Sequence, residues 1–201
     1  NSSSDNRGHV RIFKHNGTAW TQLGADIDGE AASDSSGGSV SLSADGTKVA
    51  IGALLNDGTA SNAGHVRIYN YNGTAWTQLG ADIDGEAAND QSGISFSLSA
   101  DGTKVAIGAH YNDDGPGNNS GHVRIYNYTP SGTASWTQLG ADIDGEAASD
   151  YSGGSVSLSA DGTKVAIGAY GNDGTASAAG HVRIYNYTPS GTASWTQLGA
   201  D

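Results

Sequence analysis

The sequence predicts an all-β protein: a β-propeller-type array of four-stranded antiparallel blades, about three and a half of them present. Three observations predict this. The stretch Ser41–Ala53 (SLSADGTKVAIGA) returns letter for letter at Ser97–Ala109 and Ser157–Ala169. A Gly-His-Val-Arg-Ile segment begins at Gly8, Gly64, Gly121 and Gly180, at spacings of 56, 57 and 59 residues. Apolar residues alternate with small or polar ones at the period of a strand, and no helical period of useful length appears. With 31 Gly and 3 Pro the composition suits many short strands joined by turns, while collagen would need Gly at every third position.

In chain order, a polar lead (Asn1 to Arg7) enters Gly8-His9-Val10-Arg11-Ile12, a strand whose Val and Ile share one face. Asn16-Gly17 turns the chain into Trp20-Thr21-Gln22-Leu23, completing an outer hairpin. Trp20 to Ala32 is repeated without change at Trp76–Ala88 and Trp136–Ala148, which points to recent duplication. An acidic connection leads to Gly38-Ser39-Val40-Ser41-Leu42, and Asp45-Gly46 is expected to make a two-residue hairpin turn into Lys48-Val49-Ala50-Ile51-Gly52. In the last two units the outer turn lengthens to Thr129-Pro130-Ser131-Gly132 and Thr188-Pro189-Ser190-Gly191, which accounts for the longer period.

Each unit thus carries four strands, the size of a propeller blade. A lone blade leaves its faces bare, so neighbours must stack on it. The chain divides into an outer half-blade (1–29) and blades at 30–85, 86–145 and 146–201, together one repeat domain expected to be part of a longer propeller. Four outer hairpins stand against three inner ones, so two chains do not simply pair into a seven-bladed ring. The unmatched outer hairpin, marginal in water alone, is expected to lean on the next blade or seek a partner chain.

The formal net charge of -12, from 21 acidic and 9 basic residues, argues against nucleic-acid partners, whose phosphates want a basic face. No apolar run approaches the roughly 18 residues of a membrane span, so no membrane insertion is expected. The absence of Cys excludes disulfides and thiolate chemistry. No signal peptide is visible at Asn1, and the missing initiator Met suggests a processed or excised segment.

The order Trp-Thr-Gln-Leu, acidic loop, Ser-Gly-x-Ser-Val-Ser-Leu-Ser-x-Asp-Gly, Val-Ala-Ile-Gly-Ala, Asn-Asp-Gly, Gly-His-Val-Arg-Ile-Tyr resembles the FG-GAP repeat family, including the blades of the integrin α-subunit propeller, over essentially the whole chain. The resemblance implies an extracellular or cell-surface seven-bladed propeller used for adhesion or binding, often with calcium. It also implies that the Ser-Val-Ser-Leu strand is innermost and the Trp strand outermost. In that family the calcium loop joins the two inner strands, where this chain has only Ala44-Asp45-Gly46-Thr47.

The candidate metal ligands are Asp26, Asp28, Glu30 and Asp34, with Asp82, Asp84, Glu86 and Asp90 and with Asp142, Asp144, Glu146 and Asp150 in the next two units. Their relative positions 1, 3, 5 and 9 match oxygen-ligand loops that wrap Ca²⁺, although the loop Gly falls at 4 instead of 6. The alternative is that these acids are solvated and simply turn the chain. Asn56-Asp57-Gly58 and its counterparts at Asn112 and Asn172 read as turns. His9, His65, His122 and His181 are expected to be structural, one blade apart, and the accompanying Arg and Lys to pair with the acids.

Trp20, Trp76, Trp136 and Trp195, with Tyr69, Tyr71, Tyr126 and Tyr128, either fill the gaps between blades or stack on sugar rings. Asn16, Asn72 and Asn118 head glycosylation sequons. No Gly-x-Ser-x-Gly nucleophile motif appears. Every prominent acid or His is repeated, whereas an active site gathers unlike residues, so the sequence points away from an enzyme. The expected function is a non-catalytic extracellular binding or adhesion module that takes a protein or glycan ligand. The alternatives are a scaffold or filament subunit stacking on copies of itself, and a glycan-binding propeller.

Overall fold

The computed structural model describes residues 5–130, 135–189 and 194–200, and all of its regular elements are strands. The lengthened turns fall mainly on 131–134 and 190–193, outside the described residues. The chain opens with two short pairs. Strand β1 (His9–Val10) pairs with β4 (Ile27–Asp28), and β2 (Phe13–His15) pairs with β3 (Trp20–Gln22).

The first complete sheet is β5 (Ser39–Leu42), β6 (Lys48–Ala53), β7 (His65–Tyr71) and β8 (Trp76–Gln78), in that order and antiparallel, with β9 (Ile83–Asp84) also on β7. The second repeats it with β10 (Ser95–Leu98), β11 (Lys104–Ala109), β12 (His122–Thr129), β13 (Ser135–Gln138) and β14 (Ile143–Asp144). The third is β15 (Ser152–Leu158), β16 (Lys164–Ala169), β17 (His181–Thr188) and β18 (Ser194–Gln197). This is the all-β propeller-type architecture the sequence predicts. The short Ile-Asp strand, which returns to pair with the start of the first three Gly-His-Val-Arg-Ile strands, is an addition the repeat pattern does not announce.

The inner turn differs from the two-residue expectation. Ser43 N–H donates to the Lys48 carbonyl (3.0 Å) and Gly46 N–H to the Ser43 carbonyl (2.9 Å), which leaves the four residues 44–47 in the loop. Gly46 alone in it takes positive φ (68°), a conformation that costs a residue without Cβ least. The Asp45 carboxylate accepts from Ser43 Oγ (2.7 Å) and from the Thr47 N–H (2.9 Å) and hydroxyl, so the side chain holds the loop its neighbours cannot. With Asp45 as its single carboxylate, already tied to Ser43 and Thr47, the four-residue loop falls far short of the six to eight oxygens a calcium ion takes. The position where the FG-GAP resemblance places its metal is therefore an Asx-type turn here.

Strand alternation gives every blade two apolar faces. In β6, Val49 and Ile51 face the preceding half-blade, in a cluster with Ile12, Ile27 and Tyr69, while Ala50 faces forward with Val66, Ile68 and Ile83 onto Phe96, Leu98, Val105, Ile107 and Tyr126. The same arrangement joins the second and third blades. Fully burying each such Ile or Val contributes about 1.5–3 kcal/mol.

Polar ties repeat in step with the packing. Trp76, Trp136 and Trp195 donate their indole N–H to the carbonyls of Leu23, Leu79 and Leu139 one blade back, at 2.8, 2.7 and 2.7 Å. At the inner end, Ala44 N–H donates to Ala100 and Ala100 N–H to Ala160, each at 2.8 Å. The blades approach closely enough that a Cβ on Gly52 would lie 2.5 Å from the Gly93 carbonyl oxygen, and one on Gly108 would lie 2.1 Å from that of Gly153. Gly is required at both positions by the neighbouring backbone.

Candidate metal centre

The acidic connection is pinned by one apolar residue. Ile27, Ile83 and Ile143 are buried, so the acids on either side of each turn away from the core. Gln22, Gln78 and Gln138 side-chain amides donate to Asp26, Asp82 and Asp142. The backbone carbonyls of Asp28, Asp84 and Asp144 accept from Arg67, Arg124 and Arg183 of the following strand, at 2.9, 2.8 and 2.6 Å.

The last acid of each loop is spent locally. Asp34, Asp90 and Asp150 are buried, and each accepts from the amide of a buried Asn (Asn56, Asn112, Asn172, all 3.1 Å) and from the N–H of Ala31, Ala87 or Ala147. They brace the connection against the Asn-Asp-Gly turn. Burial pushes the Asp90 carboxyl up from its ordinary value.

The Glu of each loop behaves differently. Glu86 Oε1 pairs with Arg124 Nη1 at 3.0 Å, and its second oxygen, Oε2, stands 4.0 Å from His122 Nδ1. Asp142 Oδ2 lies 3.7 Å from the same nitrogen. One ligand atom each from Glu86, His122 and Asp142 falls within 4.8 Å of the other two, and Glu30, His65 and Asp82 form the matching group one blade earlier. There Arg67 holds Glu30 Oε1 at 3.2 Å, while His65 Nδ1 is 3.8 Å from Asp82 Oδ2 and 3.9 Å from Asp84 Oδ1. In the third blade Glu146 Oε2 lies 3.8 Å from His181 Nδ1, and Asp201, at the corresponding position, is outside the described residues.

The separations of 3.7–4.0 Å from the His nitrogens to the carboxylates are too long for hydrogen bonds. They match what ligands around a divalent ion require, since bonds of about 2.0–2.2 Å to N and O place ligand atoms roughly 3–4 Å apart. His122 Nδ1 is buried and has no hydrogen-bond partner among the described residues, an orphan aimed at the two carboxylates. Burial, with Arg124 adding to it, pushes the His122 imidazole down to about 4, and burial likewise lowers His65. Both rings are therefore neutral at pH 7, the form that can donate a lone pair. Burial raises the Glu86 carboxyl, and burial together with a neighbouring Asp raises Asp84 and Asp144. The donor set fits a metal ion.

The sequence-derived ligand sets are thus divided. Glu30 and Glu86 meet Asp82 and Asp142 of the next acidic connection, Asp34, Asp90 and Asp150 serve Asn, and Asp26 is held by Gln22. His65 and His122, expected to be purely structural, stand at the centre of each group. The signal that finds them is the pairing of His65 with Asp84 and His122 with Asp144 across the Ile-Asp strand.

A second feature is not repeated. His110, Tyr111, Tyr151 and Tyr170 cluster at the mouth between the second and third blades. Tyr151 and Tyr170 stack at 5.0 Å with an interplanar angle of 6°, and Tyr170 remains exposed. The first blade has Leu54 and Leu55 where the second has His110 and Tyr111. His110 directly follows Ala109, which pairs with His122, so both features lie at the same end of the β11–β12 ladder.

No family model matches the chain, and no curated protein matches it. Solved structures do. A structure described as a candidate 6-phosphogluconolactonase from Bacteroides uniformis superposes with a TM-score of 0.62 at 11% identity, over 97% of this chain and 48% of its own. The periplasmic gluconolactonase of Pseudomonas aeruginosa superposes with a TM-score of 0.53 at 14% identity, over 94% of this chain and 51% of its own. The chain spans about half the length of these structures, and at such identities the likeness establishes the propeller-type fold.

These findings correct the FG-GAP, integrin-like assignment and the non-catalytic adhesion function drawn from it. The fold is shared with proteins named as lactonases, the inner-strand loop holds one carboxylate where a calcium loop needs several oxygens, and no family model matches. They give no support to the scaffold, filament or glycan-binding alternatives. The argument from repetition against an enzyme also fails. Each metal-type group joins a Glu from one acidic connection to a His and to an Asp from the next connection, and the aromatic cluster supplies unlike residues at one place.

Proposed function

We propose that this chain forms part of a metal-dependent propeller hydrolase that opens a sugar lactone. The observation that carries the reading is the Glu86–His122–Asp142 group, with its buried, unpartnered imidazole nitrogen. The names of the two superposing structures support the substrate class by analogy of fold. The periplasmic source of one of them supports an exported protein. Among the described residues no helix is long and apolar enough to cross a membrane.

A divalent ion held there would polarise the lactone carbonyl and lower the pKa of a bound water. Arg124 fixes one oxygen of Glu86 and leaves the other to the site, and the neutral His122 supplies the nitrogen. The stacked Tyr151 and Tyr170 rings offer a flat apolar platform for the sugar ring. One nitrogen and two carboxylates suit Zn²⁺ or Mn²⁺. Calcium, to which the loop spacing points, takes six to eight oxygens and would draw Asp144 and water into the set.

Water adds across the ring ester and yields a hydroxy acid, so turnover reads as proton release. Protein stripped with chelator and reloaded with Zn²⁺, Mn²⁺ or Ca²⁺ is expected to hydrolyse gluconolactone faster than the spontaneous reaction with one of these ions. His122→Ala and Glu86→Gln should lose at least about 100-fold of that rate. Hydrolysis at the spontaneous rate with every ion would overturn the reading.

A further inference from the structure

The turns that begin at Asn56, Asn112 and Asn172 share a hydrogen-bond pattern that puts unlike residues in one place. Asn56 Oδ1 accepts from the N–H of Gly58 (2.8 Å), Asn172 Oδ1 from that of Gly174 (2.8 Å) and Asn112 Oδ1 from that of Asp114 (2.9 Å). Asp57, Asp113 and Asp173 match as well, each accepting through Oδ1 from a backbone N–H further along the turn. The second unit therefore sets a carboxylate where the other two have glycine.

The first unit shows where such a side chain starts. A Cβ on Gly58 would lie 3.2 Å from Asp84 Oδ1, an oxygen that itself stands 3.9 Å from His65 Nδ1. Asp84 corresponds to Asp144 of the next unit, so the Asp114 side chain leaves the backbone beside Asp144. Asp114 Oδ2 is 3.4 Å from the Asn112 amide nitrogen, which also donates to Asp90. After burial, the largest cause in each case, the Asp114 charge acts upward on Glu86, Asp144 and His122. The carboxylates that act on His65 are Asp82, Glu30 and Asp84.

We infer that Asp114 makes the Glu86–His122–Asp142 group the tightest cation site among the described residues, with the Glu30–His65–Asp82 group the weaker. This rests on the metal-binding part of the reading above. A divalent ion gains from each carboxylate brought to bear on it, and one at the rim also holds a bound water in place. His122 Nδ1, buried and unpartnered, gives the acids a fixed nitrogen to converge on.

The test titrates Mn²⁺ alone into the intact, chelator-stripped protein and follows free Mn²⁺ by electron paramagnetic resonance. Glu86→Gln should remove the tightest step and Glu30→Gln a weaker one. Asp114→Asn should weaken the tightest step about tenfold and leave the weaker one in place. Asp114 is exposed, so its variant should melt with the parent, and this is checked first. Gly58 lies outside the left-handed region, and the atoms a Cβ there would meet most closely are side-chain oxygens. Gly58→Asp should therefore tighten the weaker step by a similar factor. A tightest step that follows Glu30→Gln, or one indifferent to Asp114→Asn, would overturn the inference and leave the lactonase reading standing. No saturable Mn²⁺ binding by the parent would overturn both, whereas Mn²⁺ bound in the expected order without hydrolysis would support the inference and count against the lactonase reading alone.

Discussion

The second and third blades share the strand His-Val-Arg-Ile-Tyr-Asn-Tyr letter for letter, and it meets two fates. Val123 and Ile125 are fully buried, while Val182 and Ile184 are 59% and 45% exposed. Propensity, alternation and hydrogen-bond register are the same in both, with Ala106 opposite Ile125 and Ala166 opposite Ile184. The difference is the neighbour: a third blade covers the second, and no described residue covers the third. A blade is therefore a unit of conformation, and the junction between blades is the unit of stability.

That comparison can be broken most sharply at the apolar face. Ile125→Ala should cost about 2–5 kcal/mol, the range for a buried aliphatic side chain, and Ile184→Ala less than about 1 kcal/mol. Urea unfolding of the two variants checks this, and equal costs would mean that the junction contributes little. Next in size is the close approach of backbones. An added Cβ at Gly108 meets the Gly153 carbonyl at 2.1 Å, but at Gly168 it meets the movable Ser155 hydroxyl at 2.3 Å. Gly108→Ala should lower the melting temperature by several degrees more than Gly168→Ala, for a difference of about 1–3 kcal/mol.

A smaller effect is expected at the Trp series. Trp136→Phe removes the donor to the Leu79 carbonyl and should cost about 1–2 kcal/mol, whereas Trp20, 70% exposed, should tolerate Phe with almost no change in melting temperature.

The smallest effect is a pH dependence of the inner turns. Hydrogen bonds from Ser43 and then Thr47 hold Asp45 down at about 2, against 3.8 for a free carboxyl. At Asp101 burial opposes the same bonds, which still win and leave it lowered. A depressed carboxyl contributes stability that is complete above pH 3.8 and is lost as pH falls towards 2. Asp45→Asn should therefore flatten the acid limb of a stability–pH curve more than Asp101→Asn, as chemical unfolding between pH 5 and about 2 would show.

Much of the fold is legible in the repeats. The Val-Ala-Ile alternation, the Asn-Gly turns and the spacing of Gly-His-Val-Arg-Ile place the long strands and the blade order. Two local readings miss for identifiable reasons. The Asp45 side chain ties a four-residue loop where Asp-Gly suggests a two-residue one, and the Ile-Asp strand is too short to carry a periodic signal. The site is less legible. Spacing groups carboxylates by loop, but the chain folds Glu86 towards His122 and towards Asp142 of the next acidic loop, and linear distance does not encode that meeting. One departure from repetition that is visible in the letters, His110 and Tyr111 with Tyr151 and Tyr170, becomes a cluster only when two blades are set side by side.

The sequence by itself determined the strands, their alternation and the requirement for stacking, because period-two patterning and turn chemistry act over a few residues. Tertiary structure decided which identical residues are buried, and which Asp braces a loop and which faces an imidazole. Those outcomes depend largely on groups 53 to 58 residues apart meeting across a junction, and the same letters give different answers where no described residue forms the junction.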